Sequence, residues 1–569
     1  MKKILIILNV VMFVGVAFAQ PNEQVTVIAP YQPVLTDVAM KLNATPRTID
    51  TIFEKKALSY DIFSRQMPTS FDIETIKPAK ISGEPLQKLY PFKAKIGMGN
   101  YWTTLAEIYA GNLRSEKFHY GGYLRHLSSW GELKVHNPLI DLQPGSAGLI
   151  YNHSNMTNEA NLFGGYFTEK IRMNLDLSFQ NELYHLPNNM LRPRIVGDNS
   201  DRGRRIINDF TAKYVIKNNS AHKSNIFYSA NLNFNVNDIW KISRELSGGI
   251  NLNIGGNPGF SGFFENSKFS ADISADIFTI TNLKNDSTKN DAVAYQFDIA
   301  PKYTVSYGIG TYAIGFKINT HSDFDHTDNK IFSAVSFYPC ADLNFQLVPN
   351  ILHIAVGVNL NVNQNSQKIL STFNPVVLDF EQSVGHFVYR PAITKNHYLL
   401  LSAAIFKDLR FSIKGSFIQY KNLVSYSKDS SYMTQPVYTS TNSAQVTADL
   451  KYRWKDNLSI NLTGIFNYYD EKVPYMPMLE GYLDIRYNWK EKIVAKTQLY
   501  VYSNMYSNST FDERNMSGAF DWSVELEYRI TRQWGIFARC NNLLNTRYYR
   551  WDGRPSYKFN FLIGAAFNM

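Results

Sequence analysis

The chain has 569 residues, a net charge of +10, 19% charged residues and 14% aromatic residues. A composition that is poor in charge and rich in Tyr and Phe excludes an intrinsically disordered chain. Two cysteines exclude a disulfide framework and a cysteine-based zinc or iron–sulfur site. The basic residues are scattered along the chain, so no nucleic-acid-binding module is indicated.

Residues 1–19 have the pattern of an export signal. Two lysines precede an apolar run over 4–16, and Ala17-Phe18-Ala19 is a small-residue cleavage site. The run is too short to span a membrane well. We therefore expect a signal peptide at 1–19 and a mature chain that leaves the cytoplasm.

Residues 20–92 differ from the rest of the chain by their high proline content. Proline at this density opposes both helices and central strands, because it removes a backbone donor and fixes φ. We expect an extended segment here and not an independent domain. The prolines are Pro21, Pro30, Pro33, Pro46, Pro68, Pro78, Pro85 and Pro91.

From about residue 93 to residue 569, apolar and polar residues alternate with a period of two. In 521–530, for example, Trp, Val, Leu, Tyr and Ile occupy every second position between Asp, Ser, Glu and Arg. One apolar and one polar face is typical of a strand, and runs of about ten such residues suit a membrane-spanning strand. The pattern recurs at 225–237, 351–363, 408–417, 445–454, 458–463 and 482–489.

A soluble sandwich or propeller is the alternative architecture. Three features favour a membrane barrel instead: the apolar faces end in aromatic residues such as Trp454 and Trp522, the polar faces carry full charges, and short turns alternate with long polar loops. We predict an all-β transmembrane antiparallel barrel of about 18–22 strands over 93–569. The alternation of loop lengths fails in 240–330, which leaves the strand number open.

If the short turns face the periplasm, both termini are periplasmic and the protein lies in the outer membrane of a Gram-negative bacterium. The terminal strand at 558–569 then runs toward the periplasm, as the C-terminal assembly strand of such barrels does. Its final residue is Met, with Phe two residues before it, which departs mildly from that pattern. The apolar positions that we assign to this assembly strand are Phe559, Phe561, Ile563, Phe567 and Met569.

The C-terminal region contains Asn542-Leu543-Leu544-Asn545, Tyr548-Tyr549, Asp552-Gly553-Arg554-Pro555 and the final aromatic strand. This series resembles the end of TonB-dependent receptor barrels. Together with 81–90 and 97–101, it is similar to a plug-poor, receptor-like group of Bacteroidota. The receptors carry a folded plug domain before the barrel, and the segment 20–92 is shorter than such a plug.

A β-prone stretch near the mature N-terminus resembles a TonB box, the mobile strand that adds to the sheet of the energising protein TonB. An ordinary periplasmic or lumenal strand is the alternative interpretation. The stretch consists of Gln24, Val25, Thr26, Val27, Ile28 and Ala29.

A barrel of about 20 strands encloses a lumen too wide for side chains alone to fill. Residues 20–92, inward loops such as 364–393, or a partner protein must close it. We expect an accessory or structural subunit of an outer-membrane complex, for example in the assembly or export of outer-membrane proteins. The alternative is a TonB-linked or passive transporter of a nutrient or another ligand. Expected partners are outer-membrane lipid and lipopolysaccharide, other envelope proteins, and TonB.

Two polar clusters resemble sites. A group of His and Asp residues in one predicted loop suits a divalent cation, but it lacks EF-hand spacing, and a solvated loop is the favoured interpretation. A group of arginines suits lipopolysaccharide phosphate or a loop neutralised by nearby aspartates. The clusters are His321, Asp323, Asp325, His326 and Asp328, and Arg192, Arg194, Arg202, Arg204 and Arg205.

Cys540 continues an apolar strand face, so we expect a buried or lipid-facing thiol; a disulfide with Cys340 would require proximity that the sequence does not show. The chain contains no G-x-S-x-G, H-E-x-x-H or P-loop motif. We therefore assign no catalytic residue, metal or cofactor and do not expect an enzyme.

Overall fold

The computed structural model divides into two units, Met1–Glu84 and Pro85–Met569. The residues that the structure describes all lie in the second unit. They are 90–112, 115, 117–135, 149–152, 154–185, 204–219, 225–259, 266–283, 292–325, 330–374, 390–406, 408–428, 434–455, 457–509, 514–551 and 554–569.

Strands dominate the described residues, and 24 of them are hydrogen-bonded into one sheet. Two of these, β22 and β23, form a loop hairpin, and the other 22 form the wall of a barrel. The wall strands are β1 Phe92–Gly99, β2 Thr104–Gly111, β3 Phe118–Ser129, β6 Asn155–Phe167, β7 Ile171–His185, β8 Arg204–Asn218, β9 Ile226–Ile239, β10 Ser243–Gly256, β11 Ser267–Asn282, β12 Ala292–Tyr307, β13 Gly310–Asp325, β14 Lys330–Val348, β15 Leu352–Asn363, β16 Ala392–Phe406, β17 Leu409–Lys428, β18 Thr434–Trp454, β19 Leu458–Tyr469, β20 Leu479–Trp489, β21 Ile493–Tyr502, β24 Ala519–Arg529, β25 Trp534–Asn541 and β28 Asn560–Asn568.

The remaining elements lie in the connections between wall strands. One is a helix of two turns in the connection between β15 and β16. Among the described residues, no helix is both long enough and apolar enough to cross a membrane. These elements are β4 Glu132–Val135, β5 Leu149–Asn152, α1 Gln367–Phe373, β22 Met505–Ser509, β23 Arg514–Met516, β26 Tyr549–Trp551 and β27 Arg554–Pro555.

The barrel closes where its first strand pairs with its last. β1 is antiparallel to both β2 and β28. At the end of this seam the Phe92 N–H donates to the Met569 carbonyl (3.3 Å), and the Met569 N–H donates to the Phe92 carbonyl (2.9 Å). The predicted all-β barrel is therefore confirmed, with a strand number at the upper limit of the expected range.

Side chains alternate between the lumen and the outer surface along each strand. The outer positions form an exposed apolar belt, in which Ile96, Val335 and Phe337 are 67%, 71% and 66% exposed. A soluble protein does not leave a continuous belt of this kind in water, whereas lipid covers it in a membrane. The predicted multi-pass outer-membrane barrel is confirmed by this closed wall and belt.

The two ends of the barrel differ in their connections. Short turns such as 308–309, 349–351 and 490–492 lie at the end that holds Phe92 and Met569, whereas the longest connections lie at the opposite end. Because short turns face the periplasm in outer-membrane barrels, we place that end in the periplasm. We use the terms short-turn end and long-loop end below.

The failed alternation within 240–330 has a structural cause. The connection 240–242 between β9 and β10 is tight although it lies at the long-loop end, and the connection 257–266 between β10 and β11 is long although it lies at the short-turn end. Because these two connections reverse the usual lengths, the sequence does not reveal which loops lie at which end of the barrel. They leave the number and direction of the strands unchanged.

The closing seam depends on Gly564, which lies opposite Gly97. A Cβ at Gly564 would overlap the Ile96 carbonyl oxygen and lie 2.7 Å from the Phe537 ring. We expect Gly564→Ala to lower the thermal unfolding temperature and the folded fraction on unheated gels, because overpacking costs about 1–3 kcal/mol. Gly248→Ala is the matched control, since a Cβ there meets no atom within 4 Å. An unfolding temperature unchanged in Gly564→Ala would contradict the tight seam.

Candidate functional site

The chain leaves the barrel wall between β14 and β15. The β14–β15 ladder ends at the pair Ala341–Val358, whereas the β15–β16 ladder continues to Asn363–Ala392. Pro339, which has no N–H for a neighbouring strand, lies on β14 two residues beyond the last pair. Toward the long-loop end, β15 and β16 therefore separate from β14 as a hairpin.

This hairpin packs against the inner side of the wall. Leu360, Val362 and Ile393 are buried together with the side chain of Tyr338, whose neighbours Val335 and Phe337 face outward. The Gln296 side chain of β12 donates to the Val362 carbonyl (2.8 Å). The apolar face of the hairpin is thus covered by protein and not by lipid. We call residues 359–374, which comprise the end of β15 and the helix α1 that follows it, the inward segment.

Helix α1 forms the end of the inward segment and lies against β9 and β10. Ser366 caps it by accepting the Ile369 N–H (3.3 Å). The Gln367 N–H donates to Glu245 Oε2 (2.5 Å), while Ser243 Oγ donates to the Gln367 side-chain oxygen (2.7 Å) and the Gln367 amide donates to Asn237 Oδ1 (3.0 Å). Glu245 is 1% exposed, so a lumenal carboxylate is buried by the helix.

A salt bridge attaches the helix to β8, and a hydrogen bond attaches it to β17. Lys368 Nζ lies 2.8 Å from Asp209 Oδ1 and donates to Thr211 Oγ1 (3.0 Å). The Tyr426 hydroxyl donates to the Leu370 carbonyl (3.3 Å). Because β8 to β10 and β17 lie on well-separated parts of the wall, the inward segment crosses the lumen near the long-loop end.

A buried aromatic cluster joins three connections at the same end. Trp551 lies 5.2 Å from the Tyr426 ring and 5.1 Å from the Tyr475 ring. Tyr475 has a positive φ of 60° and donates its N–H to the Tyr506 carbonyl (2.7 Å). Tyr426 is also the residue that contacts α1, so the cluster holds the outer connections and the inward segment together.

A row of tyrosines continues from this cluster along the lumenal wall. The rings of Tyr482 and Tyr500 stack at 4.8 Å, Tyr500 and Tyr502 are 5.5 Å apart, and Tyr502 and Tyr548 are 6.3 Å apart. The Tyr548 hydroxyl donates to Asp521 Oδ2 (2.6 Å). Burial, and then this bond, raise the pKa of Tyr548 above its ordinary value, so its phenol stays protonated.

A cavity of about 290 Å³ opens beside the row, between connections 470–478 and 503–518. Tyr468, Tyr506, Met476, Met478 and Met505 line it, with Lys472 and Asp470 among its polar groups. Aromatic and thioether surfaces with a few polar groups suit a small ring-containing ligand.

Charged side chains near the short-turn end of the lumen are paired with one another. Lys95 Nζ lies 2.9 Å from Glu527 Oε2, and Arg539 Nη2 lies 2.8 Å from Glu525 Oε2. The two carboxylates share a strand face and have basic partners, so they form an ion-pair network in the lumen wall and not an acid–base pair.

The sequence-predicted TonB-box residues 24–29 and the signal peptide lie outside the described residues. In the C-terminal strand, Phe561 and Ile563 are exposed on the outer face of β28, which is the last wall strand. Phe559 and Met569 flank this strand, and Phe567 lies near its end. Their role in barrel assembly stays a prediction.

The prediction that His321, Asp323 and Asp325 lie in a polar loop is wrong, because these residues belong to β13. The His321 side chain is buried and hydrogen-bonded to Asn319 (2.7 Å), so strand geometry and not a loop places it. His326 and Asp328 lie outside the described residues. Within the described part of the chain, no group of three His, Cys, Asp or Glu residues could hold a metal ion.

The structure describes only part of the predicted arginine cluster, together with both cysteines. Of the arginines, Arg204 is exposed and Arg205 is 3% exposed, while Arg192, Arg194 and Arg202 lie outside the described residues. Cys340 and Cys540 are free thiols, and both are half-buried. Cys540 shares the outer strand face of Ile536.

The sequence analysis did not identify the residues that hold α1. Asp209, Asn237 and Glu245 are ordinary polar positions of alternating strands, and nothing local distinguishes them from other lumenal residues. The one available indication was the long connection after β15, which was expected to close the lumen as one of three options. The structure places residues 359–374 of this connection across the lumen, in contact with β8, β10 and β17.

Comparisons with known proteins rest on the fold, because no family model and no curated protein matches the chain. The FrpB iron transporter from Neisseria meningitidis is 10% identical, with a TM-score of 0.61 over 85% of this chain and 82% of FrpB. The ferric-catecholate import receptor Fiu from E. coli K12 is 11% identical, with a TM-score of 0.57 over 85% and 82%. The copper transporter OprC is 12% identical, with a TM-score of 0.57 over 84% and 80%. The chain has the 22-strand barrel fold of TonB-dependent receptors.

The salt bridge between Lys368 and Asp209 should hold the inward segment across the lumen. We expect Lys368→Gln to raise the ion conductance of the purified protein in planar bilayers about two- to fivefold, the population shift expected from losing a partly exposed ion pair. Lys302→Gln is the matched control, because Lys302 pairs with Asp342 on the lumenal wall and does not touch α1. Equal conductance in the wild type and in Lys368→Gln would show that this pair does not restrain the segment.

Proposed function

We propose that the protein is an outer-membrane transporter of the TonB-dependent-receptor type, in which the inward segment restricts the lumen. The observation that carries this proposal is a closed 22-strand wall whose lumen is crossed near the long-loop end by residues 359–374. A barrel of this size conducts freely unless something blocks it. A purely structural barrel needs no releasable blockage of this kind.

The way the segment is held suits a movable part. Its contacts with β8, β9 and β10 are made by side chains, such as Lys368 with Asp209 and Glu245 with the Gln367 N–H. Side-chain contacts can be exchanged without breaking the backbone ladder that keeps the wall closed. The segment can therefore open the lumen while the barrel stays intact.

The similar structures favour transport over the accessory role that we expected first. They are an iron transporter, a ferric-catecholate import receptor and a copper transporter. We therefore propose uptake of a ligand, which meets the tyrosine row and the neighbouring cavity at the long-loop end. We assign no catalytic residue to the protein.

The N-terminal region completes the proposal. We propose that residues 24–29 are the strand that TonB binds, and that residues 20–92 serve as a lumenal or partner-binding element in place of a full plug, as in a plug-poor receptor of Bacteroidota. Support comes from the β-prone sequence at 24–29 and from the periplasmic start of β1 at Phe92. A strand at this point of the chain would be accessible to a periplasmic sheet edge.

Binding of the periplasmic domain of TonB tests this proposal. We expect the purified full-length protein to bind that domain by calorimetry, and a variant lacking residues 24–29 to lose the binding. Deletion of 39–44 in the same proline-rich region is the control and should leave binding intact.

An accessory role predicts a different result. The wild-type protein, extracted in mild detergent, would then carry a stoichiometric set of envelope proteins and show no binding to the TonB domain. That combination would overturn the transport proposal.

A further inference from the structure

One part of the outer barrel surface carries a row of polar side chains where lipid-facing residues are expected. It crosses seven adjacent wall strands, β2, β3 and β6 to β10, near the long-loop end. We call it the outer polar row. Its members are Thr104, His126, Asn158, Asn181, Asn208, Asp238 and Arg244.

Strand alternation places these side chains on the outer surface. His126 shares its face with Leu124, Asn158 with Leu162, and Asn181 with Phe179; these apolar neighbours are 55%, 63% and 43% exposed. The backbone register sets the polar residues directly opposite one another. His126 pairs with Asn158, Asn158 with Asn181, Asn181 with Asn208, and Asn208 with Asp238.

Side-chain hydrogen bonds run along the row from one strand to the next. His126 Nδ1 lies 2.6 Å from Asn158 Oδ1, Asn158 donates to Asn181 Oδ1 (3.1 Å), and Asn181 donates to Asn208 Oδ1 (2.7 Å). At the far end, Arg244 Nε donates to Asp238 Oδ1 (3.0 Å). An amide can make four hydrogen bonds. Each central asparagine therefore keeps a second N–H and a second lone pair for a ligand on the outer surface.

The height of the row corresponds to the edge of the lipid. On β7 the outer face is apolar from Ile171 to Phe179, a distance of about 26 Å along the strand. With the usual tilt of about 40° this covers most of the apolar band of about 25 Å. Asn181, the next outer residue, follows this apolar stretch, and Leu183, the outer residue after it, is covered by the protein itself and is 2% exposed.

Basic residues lie immediately above one end of the row. Arg204 is exposed four residues before Asn208 on β8, Lys241 is exposed in the 240–242 turn, and the Arg244 side chain is 50% exposed. Asp238 balances one of these charges. The surface therefore combines amide donors and acceptors, which suit sugar hydroxyls, with an excess of positive charge, which suits phosphate.

The described strands β19, β20 and β24 on the other side of the barrel lack this arrangement. At the long-loop ends of β19, β20 and β24, the outer face presents Phe466, Tyr468, Leu479 and Trp522, each exposed. Aromatic residues of this kind form a general interfacial girdle, which does not distinguish one lipid from another. The polar row is thus a local feature and not the ordinary rim of the barrel.

We propose that the outer polar row is a binding site for the sugar-phosphate headgroup of an outer-leaflet glycolipid. The asparagines bind hydroxyl and phosphate oxygens at the headgroup, and Arg204, Lys241 and Arg244 neutralise its phosphates. The acyl chains then cover the apolar outer faces of the same strands. This site is independent of the lumen and of any transported ligand.

Retention of lipopolysaccharide tests this site. The full-length protein is purified from its native outer membrane, washed extensively in mild detergent and examined by native mass spectrometry. We expect the wild type to retain at least one lipopolysaccharide per barrel. The double variant Asn158→Leu, Asn181→Leu should retain at least about fivefold less lipopolysaccharide per barrel, because two hydrogen-bonding groups are lost. Leucine suits an outer position, and folding is checked by migration on unheated gels.

Phe466→Leu with Phe520→Leu is the matched control, since both residues are exposed on the outer surface at the same end of the barrel and the variant should retain lipopolysaccharide as the wild type does. Equal retention by the wild type and the asparagine variant would overturn the site. So would loss of a co-purifying protein with no loss of glycolipid, because the row would then be a protein interface.

Discussion

The requirement that every backbone N–H and C=O in the hydrocarbon region be paired underlies the whole structure. It leaves no free strand edge in the membrane, so the pairing of β1 with β28 is the contact on which the other strands depend. The reciprocal bonds of Phe92 and Met569 complete this seam, and Gly97 opposite Gly564 allows the close approach of its two strands. Exposed apolar outer faces then follow, since lipid replaces a protein core.

A closed wall of 22 strands encloses a wide lumen, and the connection after β15 crosses this lumen near the long-loop end. The β14–β15 ladder stops at Ala341–Val358, near a proline that cannot donate a hydrogen bond. The hairpin beyond buries Leu360 and Val362 against the inner wall, and α1 reaches Asp209 and Glu245. The wall is thus maintained by backbone bonds and the restriction by side chains, which allows one to change without the other.

The two surfaces of the wall carry different sets of side chains. The lumenal surface near the long-loop end combines a tyrosine row, an aromatic cluster around Trp551 and the inward segment, where an entering ligand would make its first contacts. The outer surface on the side of β2 to β10 carries hydrogen-bonded asparagines beyond its apolar stretch. Because alternate residues of the same strands form the two surfaces, each can vary without altering the other.

The sequence by itself determined the fold class and the clearest spanning segments outside 240–330, because a period of two and a ten-residue strand are local properties. It indicated 364–393 as one candidate for closing the lumen. It misplaced His321 and Asp323 in a loop and left the strands of 240–330 uncounted, since the tight 240–242 turn and the long 257–266 connection reverse the usual lengths. Only the tertiary structure decided which residues meet: Lys368 is far from Asp209 in sequence, and the three asparagines of the outer row come from three different strands. Such contacts depend on register and closure, which no local pattern encodes.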